Sequence, residues 1–118
     1  MPPPRFIYHI VLSKDWAKQA TLPEYEAASL DNEGFIHCSR LEQLPATLKR
    51  FFSKQLDQVS ILKIDTTLIN VPLIYEAADD GSGFFPHLFG GIAQRSVVEI
   101  LIPPFDFMPP APQTKADK

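Results

Sequence analysis

Gly34-Phe35-Ile36-His37-Cys38-Ser39 is an apolar segment with a histidine in its middle. Alternation predicts a buried β-strand with Phe35, His37 and Ser39 on one face and the two residues between them on the other. A histidine in an apolar strand needs partners for its ring nitrogens, supplied either by the protein or by a ligand. The segment therefore predicts both a central strand and a candidate functional site.

The chain has three histidines, and each lies in a short apolar or aromatic context. They are His37, His9 within Ile7-Tyr8-His9-Ile10, and His87 within Phe85-Pro86-His87-Leu88-Phe89. We expect these three segments to form the walls of one site, with the three imidazoles opening onto a shared crevice. The rest of the chain then serves as the scaffold that brings them together.

Composition narrows the class of protein. A chain of 118 residues with 45% hydrophobic and 21% charged residues is typical of one globular domain whose core needs no disulfide or structural metal. The net charge of −3 provides no broad basic surface, so we expect no nucleic-acid binding. The single cysteine, Cys38, excludes an internal disulfide. The sequence shows neither a signal-peptide pattern nor an apolar run of membrane-spanning length, and a cytoplasmic location is expected.

Local patterns predict short strands and two helices. β-forming residues favour strands over residues 6–12, 59–65, 73–78 and 96–102. Ser13 is a good N-cap for a short helix over residues 14–20, and Ser39 and Glu42 have the spacing of a capping box. Pro45 suits the start of the main helix, whose core-facing stripe is expected to be Leu44, Leu48, Phe51 and Phe52.

The segment over residues 79–91 has an unusual composition. An acidic, glycine-containing run over residues 79–83 leads into an aromatic run that is interrupted by Pro86 and closed by two glycines. Loops of this kind frequently carry function, so we expect a lid or a pocket wall here.

The whole pattern indicates an α+β domain. Five or six short strands, at most two substantial helices and no regular β-α alternation predict two small sheets packed on each other with helices at the side. We expect a single domain over residues 5–104. Residues 105–118 form a proline-rich C-terminal tail to which no structure is assigned.

Six motifs, in their order along the chain, resemble the signature of an uncharacterised bacterial domain-of-unknown-function family. They are Ile7-Tyr8-His9-Ile10, Trp16, Glu33-Gly34-Phe35-Ile36-His37-Cys38-Ser39, Gln43, Tyr75-Glu76 and Phe85-Pro86-His87-Leu88-Phe89-Gly90. The resemblance covers roughly residues 6–102. That family is similar, more distantly, to the ADP-ribosyltransferase superfamily, which includes the NAD-dependent RNA 2′-phosphotransferases. The implied fold is a split β-sandwich of two small sheets with flanking helices and an NAD cleft between the sheets.

The resemblance also implies roles for individual residues, with NAD as cosubstrate. His9 matches the superfamily histidine that hydrogen-bonds a ribose, and His37 matches the second-strand position. The third position is usually a glutamate on a late strand; here Glu76 and His87 are alternatives for it. The resemblance thus implies a catalytic set of His37, Glu76 and His87, and either transfer of ADP-ribose to a small-molecule or protein acceptor or hydrolysis of NAD.

The chemistry of NAD cleavage suits these residue types. Breaking the nicotinamide–ribose bond builds positive charge on the ribose, which a nearby carboxylate stabilises. Neutral histidines anchor ribose hydroxyls as donor and acceptor at once. Phe85 and Phe89 are expected to stack against a nicotinamide or adenine ring, and Ser39, at a helix N-terminus, is expected to help hold a phosphate.

Three other functions remain open. A non-catalytic ligand-binding module on the same fold would keep the cleft and lack the chemistry. The three histidines and Cys38 are potential zinc ligands, but their spacing is not that of a metal site. Cys38 is also a potential nucleophile with a histidine partner, although its predicted apolar surroundings favour an inert thiol.

Overall fold

The computed structural model describes residues 4–103, so Pro104 and the predicted tail over residues 105–118 lie outside the described residues. This part of the chain forms short strands, short α-helices and 3₁₀ turns. The strands are β1 (Phe6–Leu12), β2 (Glu24–Tyr25), β3 (Ile36–His37), β4 (Val59–Asp65), β5 (Leu73–Ala77), β6 (Phe84–Leu88), β7 (Ile92–Ala93) and β8 (Val97–Leu101). The α-helices are α1 (Ser13–Gln19), α2 (Ala28–Glu33) and α3 (Leu44–Phe52). The 3₁₀ turns are Leu41–Gln43, Leu56–Gln58, Thr66–Leu68 and Gln94–Ser96.

The strands form antiparallel sheets. One three-stranded sheet has the order β1-β4-β8, the other has the order β3-β6-β5, and β2 pairs with β7 in a small two-stranded sheet. The architecture is a mixed fold of α-helices and β-sheets, as expected. The sequence predicted two small sheets, and the β2–β7 pair is an additional one.

The sheet β1-β4-β8 carries the core on both faces. One face holds the side chains of Ile7 and Leu62, and the other holds Tyr8 and Ile61; all four are buried. Burial on both faces explains why β1 and β4 are almost continuously apolar. The central strand of this sheet is β4. The prediction of a central strand over residues 34–39 is wrong, because β3 has only two residues there and lies at the edge of its sheet.

The segment over residues 79–91, predicted as a loop that forms a lid or a pocket wall, is not a loop over residues 84–88, because Phe84–Leu88 is β6, the central strand of the sheet β3-β6-β5. A lid is therefore wrong for these residues. Pro86 lies in the middle of that strand. Its carbonyl accepts the Cys38 N–H at 3.0 Å, but proline has no N–H to donate in return. Pairing between β3 and β6 accordingly ends at His37, one residue earlier along β3.

Two backbone hydrogen bonds join the two three-stranded sheets. The N–H of Tyr8 donates to the Ser39 carbonyl at 2.8 Å, and the N–H of Ser39 donates to the Tyr8 carbonyl at 2.7 Å. This bridge draws Ser39 inward, so it is buried. The predicted capping box is shifted: Arg40 is the N-cap of the next turn, and its N–H donates to Gln43 Oε1 at 2.8 Å.

Two helix predictions hold only in part. Helix α1 begins at Ser13 itself, whose hydroxyl pairs with the Ser60 hydroxyl at 2.7 Å and caps no backbone group. In α3, Leu44 is buried as predicted, but the predicted core position of Phe51 is wrong, because its ring is 61% exposed. That ring lies beneath the Arg50 guanidinium, 5.0 Å from its carbon, near the C-terminal end of the helix.

No helix within residues 4–103 has the length and hydrophobicity that a membrane crossing requires.

Candidate functional site

Six of the aromatic, histidine and carboxylate side chains lie on the outer face of the sheet β3-β6-β5. Pairing places His37 opposite His87, and alternation along each strand puts the other members on the same side. We call this surface the histidine face. Its members are Phe35, His37, Glu76, Phe85, His87 and Phe89.

His87 and Glu76 form the shortest side-chain contact of the histidine face. The Nδ1 of His87 lies 2.7 Å from Oε1 of Glu76, and the imidazole is largely buried while the carboxylate is 44% exposed. A carboxylate only accepts hydrogen bonds, so Nδ1 carries the proton and donates it. In the neutral ring, Nε2 therefore holds a lone pair that is available as a base or acceptor.

His37 has the same relation to a second carboxylate. Its Nε2 donates to Oε2 of Glu33 at 3.0 Å, which leaves a lone pair on Nδ1 in the neutral ring. Gly34 makes this contact possible: it ends α2 in the left-handed region with φ of 87°, and the chain turns at once toward β3. The His37 side chain is 54% exposed.

Phe35 lies at the centre of the aromatic contacts. Its ring stacks on His87 with centroids 4.2 Å apart and an interplanar angle of 17°. The rings of His37 and Phe89 lie 4.8 Å and 5.4 Å from it, and the two imidazoles are 5.2 Å apart, edge to face. These contacts fix the orientation of both histidines.

His9 does not lie on the histidine face. It is 7% exposed, and its ring lies 5.5 Å from that of Tyr25. Burial lowers the pKa of His9 to about 4, so the ring is neutral at pH 7. Its Nδ1 donates to the backbone carbonyl of His37 at 2.7 Å. The histidine face thus holds two of the three imidazoles, and the third reaches it only through the backbone of His37.

The other predicted ligand-binding residues lie in two places, Phe85 and Phe89 on the histidine face and Ser39 between the sheets. Phe89 contacts Phe35, whereas the half-buried Phe85 lies across the strand pair from Glu76. Ser39 is buried between the sheets and precedes the N-cap of the next turn, so the structure does not place its hydroxyl where a phosphate was expected.

Two contacting residues were absent from the predicted catalytic and ligand-binding sets. Phe35 is the aromatic centre, and its signal was present in the sequence, because alternation places it on the same face as His37. Glu33 is four residues before His37, but the intervening Gly34 turn, rather than a continuous helix, creates their contact.

The alternatives based on Cys38 and on metal binding find no support in the described residues. Between residues 4 and 103, no group of three or more His, Cys, Asp or Glu side chains is arranged to hold a metal ion. Cys38 is buried, and burial raises the pKa of its thiol far above the ordinary value. A thiol in this state is a poor nucleophile.

Two surface concavities are lined by residues outside the histidine face. One is formed by Gln19, Leu22, Pro23, Glu24 and Glu26. The other, along α3, is formed by Pro45, Ala46, Leu48, Lys49, Ser53 and Leu56.

Most of the chain corresponds to a known family. Residues 10–100 match the family described as "Protein of unknown function (DUF952)". The chain belongs to the DUF952 family. The resemblance to a domain-of-unknown-function family is thereby confirmed for this DUF952 protein, over nearly the range that the motifs predicted. A comparison with curated proteins gives no significant match.

Solved structures of a related protein share this fold. The chain is similar to protein CC0527 from Caulobacter crescentus, with 28% identity and a TM-score of 0.68 for one crystal structure, over 81% of this chain and 83% of that one. A crystal structure of a double mutant of CC0527 gives 27% identity and a TM-score of 0.71 over the same shares. The solution NMR structure gives 26% identity and a TM-score of 0.70, over 84% of each chain.

Proposed function

We propose that the histidine face binds the nicotinamide riboside half of NAD and cleaves the nicotinamide–ribose bond, transferring ADP-ribose to a small-molecule or protein acceptor, or to water. The observation that carries this proposal is the Glu76–His87 pair at 2.7 Å, next to the stacked ring of Phe35. The ADP-ribosyltransferase resemblance of the motifs agrees with it.

The nicotinamide ring of NAD is planar and positively charged, and the histidine face suits both properties. Phe35 and Phe89 provide aromatic surface for a cationic ring. The carboxylates paired with the imidazoles, Glu33 and Glu76, add negative charge beside that surface. An uncharged purine would gain only the stacking, so the face favours the nicotinamide half over the adenine half.

His87 is the general base in this proposal. The bond between the ribose carbon and the nicotinamide nitrogen breaks, and its electron pair leaves with nicotinamide. An oxygen of water or of the acceptor forms the new bond to that carbon, and its proton passes to Nε2 of His87. Glu76 holds Nδ1 and stabilises the imidazolium that results, and its negative charge also stabilises the cationic ribose.

His37 has a binding role. Its Nδ1 lone pair accepts a hydrogen bond from a ribose hydroxyl, while Glu33 holds the opposite nitrogen of the ring. His9 supports this arrangement by donating to the carbonyl of His37, and it is therefore a positioning residue rather than a ligand contact.

Calorimetric titration with NAD tests the binding step. We expect saturable heat for the wild-type protein and at least about tenfold weaker binding for His37→Ala and Phe35→Ala, since the lost contacts account for roughly 1.4 kcal/mol or more. Glu99→Gln is the matched control, because this exposed strand carboxylate lies on β8 beside Lys63, in the other sheet. Absence of heat with NAD and with other pyridine or adenine dinucleotides would overturn the ligand assignment.

Nicotinamide release tests the chemical step. We expect His87→Gln and Glu76→Gln to lower the release rate by about 10²-fold or more, which is the usual contribution of a general base. NAD binding must persist in His87→Gln, which keeps the aromatic surface and both carboxylates. Glu76→Gln removes one negative charge beside that surface, so its release rate is compared at saturating NAD. Equal release by wild-type protein and His87→Gln would contradict the assigned base.

A non-catalytic binding module is the second candidate. It is favoured by the exposure of the face: the His37 side chain is 54% exposed and Glu76 is 44% exposed, so the face as described does not exclude water. NAD binding without any nicotinamide release over hours would support this candidate and overturn the transferase.

A further inference from the structure

Two buried polar atoms in the described residues have no hydrogen-bond partner. Within residues 4–103 they are the Nε of Arg40 and the hydroxyl of Tyr75. Buried polar groups are normally paired, so each atom that is not paired calls for an explanation. Both atoms are donors: the guanidinium Nε carries a hydrogen, and the phenol donates its O–H.

The two residues meet at one corner of the inner face of the sheet. Tyr75 pairs with Pro86 on β6, and Pro86 accepts the N–H of Cys38 on the other side. Arg40 follows two residues after Cys38, and its guanidinium is close enough to the Tyr75 hydroxyl for its charge to oppose the rise in the pKa of that hydroxyl. This corner lies on the opposite face of the sheet from His37, His87 and Glu76.

The ion pair that Arg40 forms leaves its Nε without a hydrogen-bond acceptor among the described residues. The Nη1 of Arg40 pairs with Glu42 at 3.2 Å, and that carboxylate is 66% exposed, while the Arg40 side chain is 35% exposed. Part of the Arg40 side chain therefore extends to solvent, while its Nε is buried. Burial raises the pKa of Tyr75 while the Arg40 charge lowers it, and the net direction is upward, so the hydroxyl remains a donor at neutral pH.

We propose that Arg40 and Tyr75 form a binding site for a small oxyanion, a carboxylate or a phosphate group. Two acceptor oxygens on one anion satisfy both donors at once, and the arginine provides the opposite charge. An uncharged ligand could accept a hydrogen bond from the Tyr75 hydroxyl, but it would not be attracted by the positive charge of Arg40, so an anion is favoured. The site is separate from the proposed NAD site, so either can be correct without the other.

The test uses thermal unfolding of the full chain in inorganic phosphate and in acetate, at an ionic strength held constant with chloride. A ligand that binds only the folded state raises the unfolding temperature in proportion to the logarithm of its concentration above Kd. We expect such a logarithmic rise with at least one of the two anions. The arm that responds identifies the anion as a phosphate or a carboxylate.

Tyr75→Phe and Arg40→Lys are the informative variants. Tyr75→Phe removes a donor that has no protein partner, so we expect it to fold at least as stably as wild type without anion, and to bind at least tenfold more weakly. Arg40→Lys keeps the positive charge but lacks Nε, and we expect the same loss. Arg95→Gln, an exposed arginine elsewhere, is the control and keeps the full anion effect.

Three outcomes overturn the proposal. One is no anion-dependent rise in wild-type protein, and another is an undiminished rise in Tyr75→Phe, which means an adventitious ion only. The third is a marked loss of stability of Tyr75→Phe in chloride alone, which shows that the hydroxyl already has a partner within the protein. None of these results alters the NAD titration, so failure here is distinguishable from failure of the proposed function.

Discussion

The two three-stranded sheets hold their histidines in opposite environments. His9 on β1 is buried and neutral, with its ring donating to a backbone carbonyl. His37 and His87 lie on an outer face, where each ring donates to a carboxylate and keeps one nitrogen free. The difference shows that burial and partner, rather than the residue type or its apolar neighbours in sequence, decide whether an imidazole is structural or available for chemistry.

The two sheets also differ in how their faces are buried. The sheet β1-β4-β8 has apolar clusters on both of its faces, so it contributes most of the hydrophobic stabilisation. The sheet β3-β6-β5 is buried on its inner side only, and its outer face carries the polar and aromatic groups. Substitutions in the first sheet should therefore alter stability, and those on the outer face of the second should alter binding.

Ile64→Ala should show the largest effect. Ile64 is fully buried in β4, so removing its side chain should lower the free energy of unfolding by about 2–5 kcal/mol. Ile74→Ala is the matched control on the outer face of β5, where the side chain is 48% exposed, and it should cost less than about 1 kcal/mol. Chemical denaturation measures both values. Equal losses for the two variants would contradict the proposed division between the sheets.

Acidification should destabilise the protein through His9. Its pKa is about 4 in the folded state, against about 6.5 in an unfolded chain, so between these values only the unfolded state binds the proton. Stability is therefore unaffected above pH 6.5, falls as the pH drops from 6.5 to 4, and has lost up to about 3 kcal/mol at pH 4.

Denaturation at a series of pH values checks this contribution of His9. His9→Asn should be less stable at pH 7 but should lack the decline between pH 6.5 and 4, whereas His37→Asn should retain it. Asp65 does not confuse this measurement, because it titrates at lower pH. Its hydrogen bond with Arg5 holds the pKa of the carboxyl at about 2 in the folded state, so its contribution to stability is lost only as the pH falls from about 4 toward 2. A decline that is identical in wild type and His9→Asn would contradict the assignment.

Gly34→Ala tests the left-handed turn that connects α2 to β3 on the histidine face. Its φ of 87° is costly for a residue with a Cβ, although that Cβ would have no heavy atom within 4 Å. We therefore expect a loss of about 1 kcal/mol, measured by the denaturation midpoint. Asn32→Ala, in the preceding helix, should change stability by less than about 0.5 kcal/mol. A loss of several kcal/mol would show steric crowding that the structure does not contain.

Glu76→Gln should show the smallest effect on stability. The carboxylate is 44% exposed, and partly exposed ion pairs contribute less than about 1 kcal/mol. The same substitution is expected to lower nicotinamide release strongly, so stability and activity should separate. A loss of stability comparable to that of Ile64→Ala would indicate that the Glu76–His87 pair is structural.

Much of the local structure follows from local patterns. Strands β1 and β4 have the predicted bounds, because long apolar segments flanked by turn residues leave few alternatives. Pro86 misled the assignment of β6, since proline is rare in a central strand; it is accommodated because β3 ends beside it. The exposure of Phe51 was not predictable from periodicity, because the pattern does not say where the sheet beneath α3 ends.

The sequence by itself determined the mixed architecture, the apolar strands β1 and β4, and the set of three histidines with Glu76 as candidates for chemistry. Only the tertiary structure decided that His37 and His87 share a face, that His9 belongs to the core, and that Phe35 and Glu33 complete the contacts. The physical reason is that periodicity assigns a side chain to one face of its own strand. Which of those faces meets another sheet, and which meets water, depends on pairings between residues far apart in the chain, such as Tyr8 with Ser39.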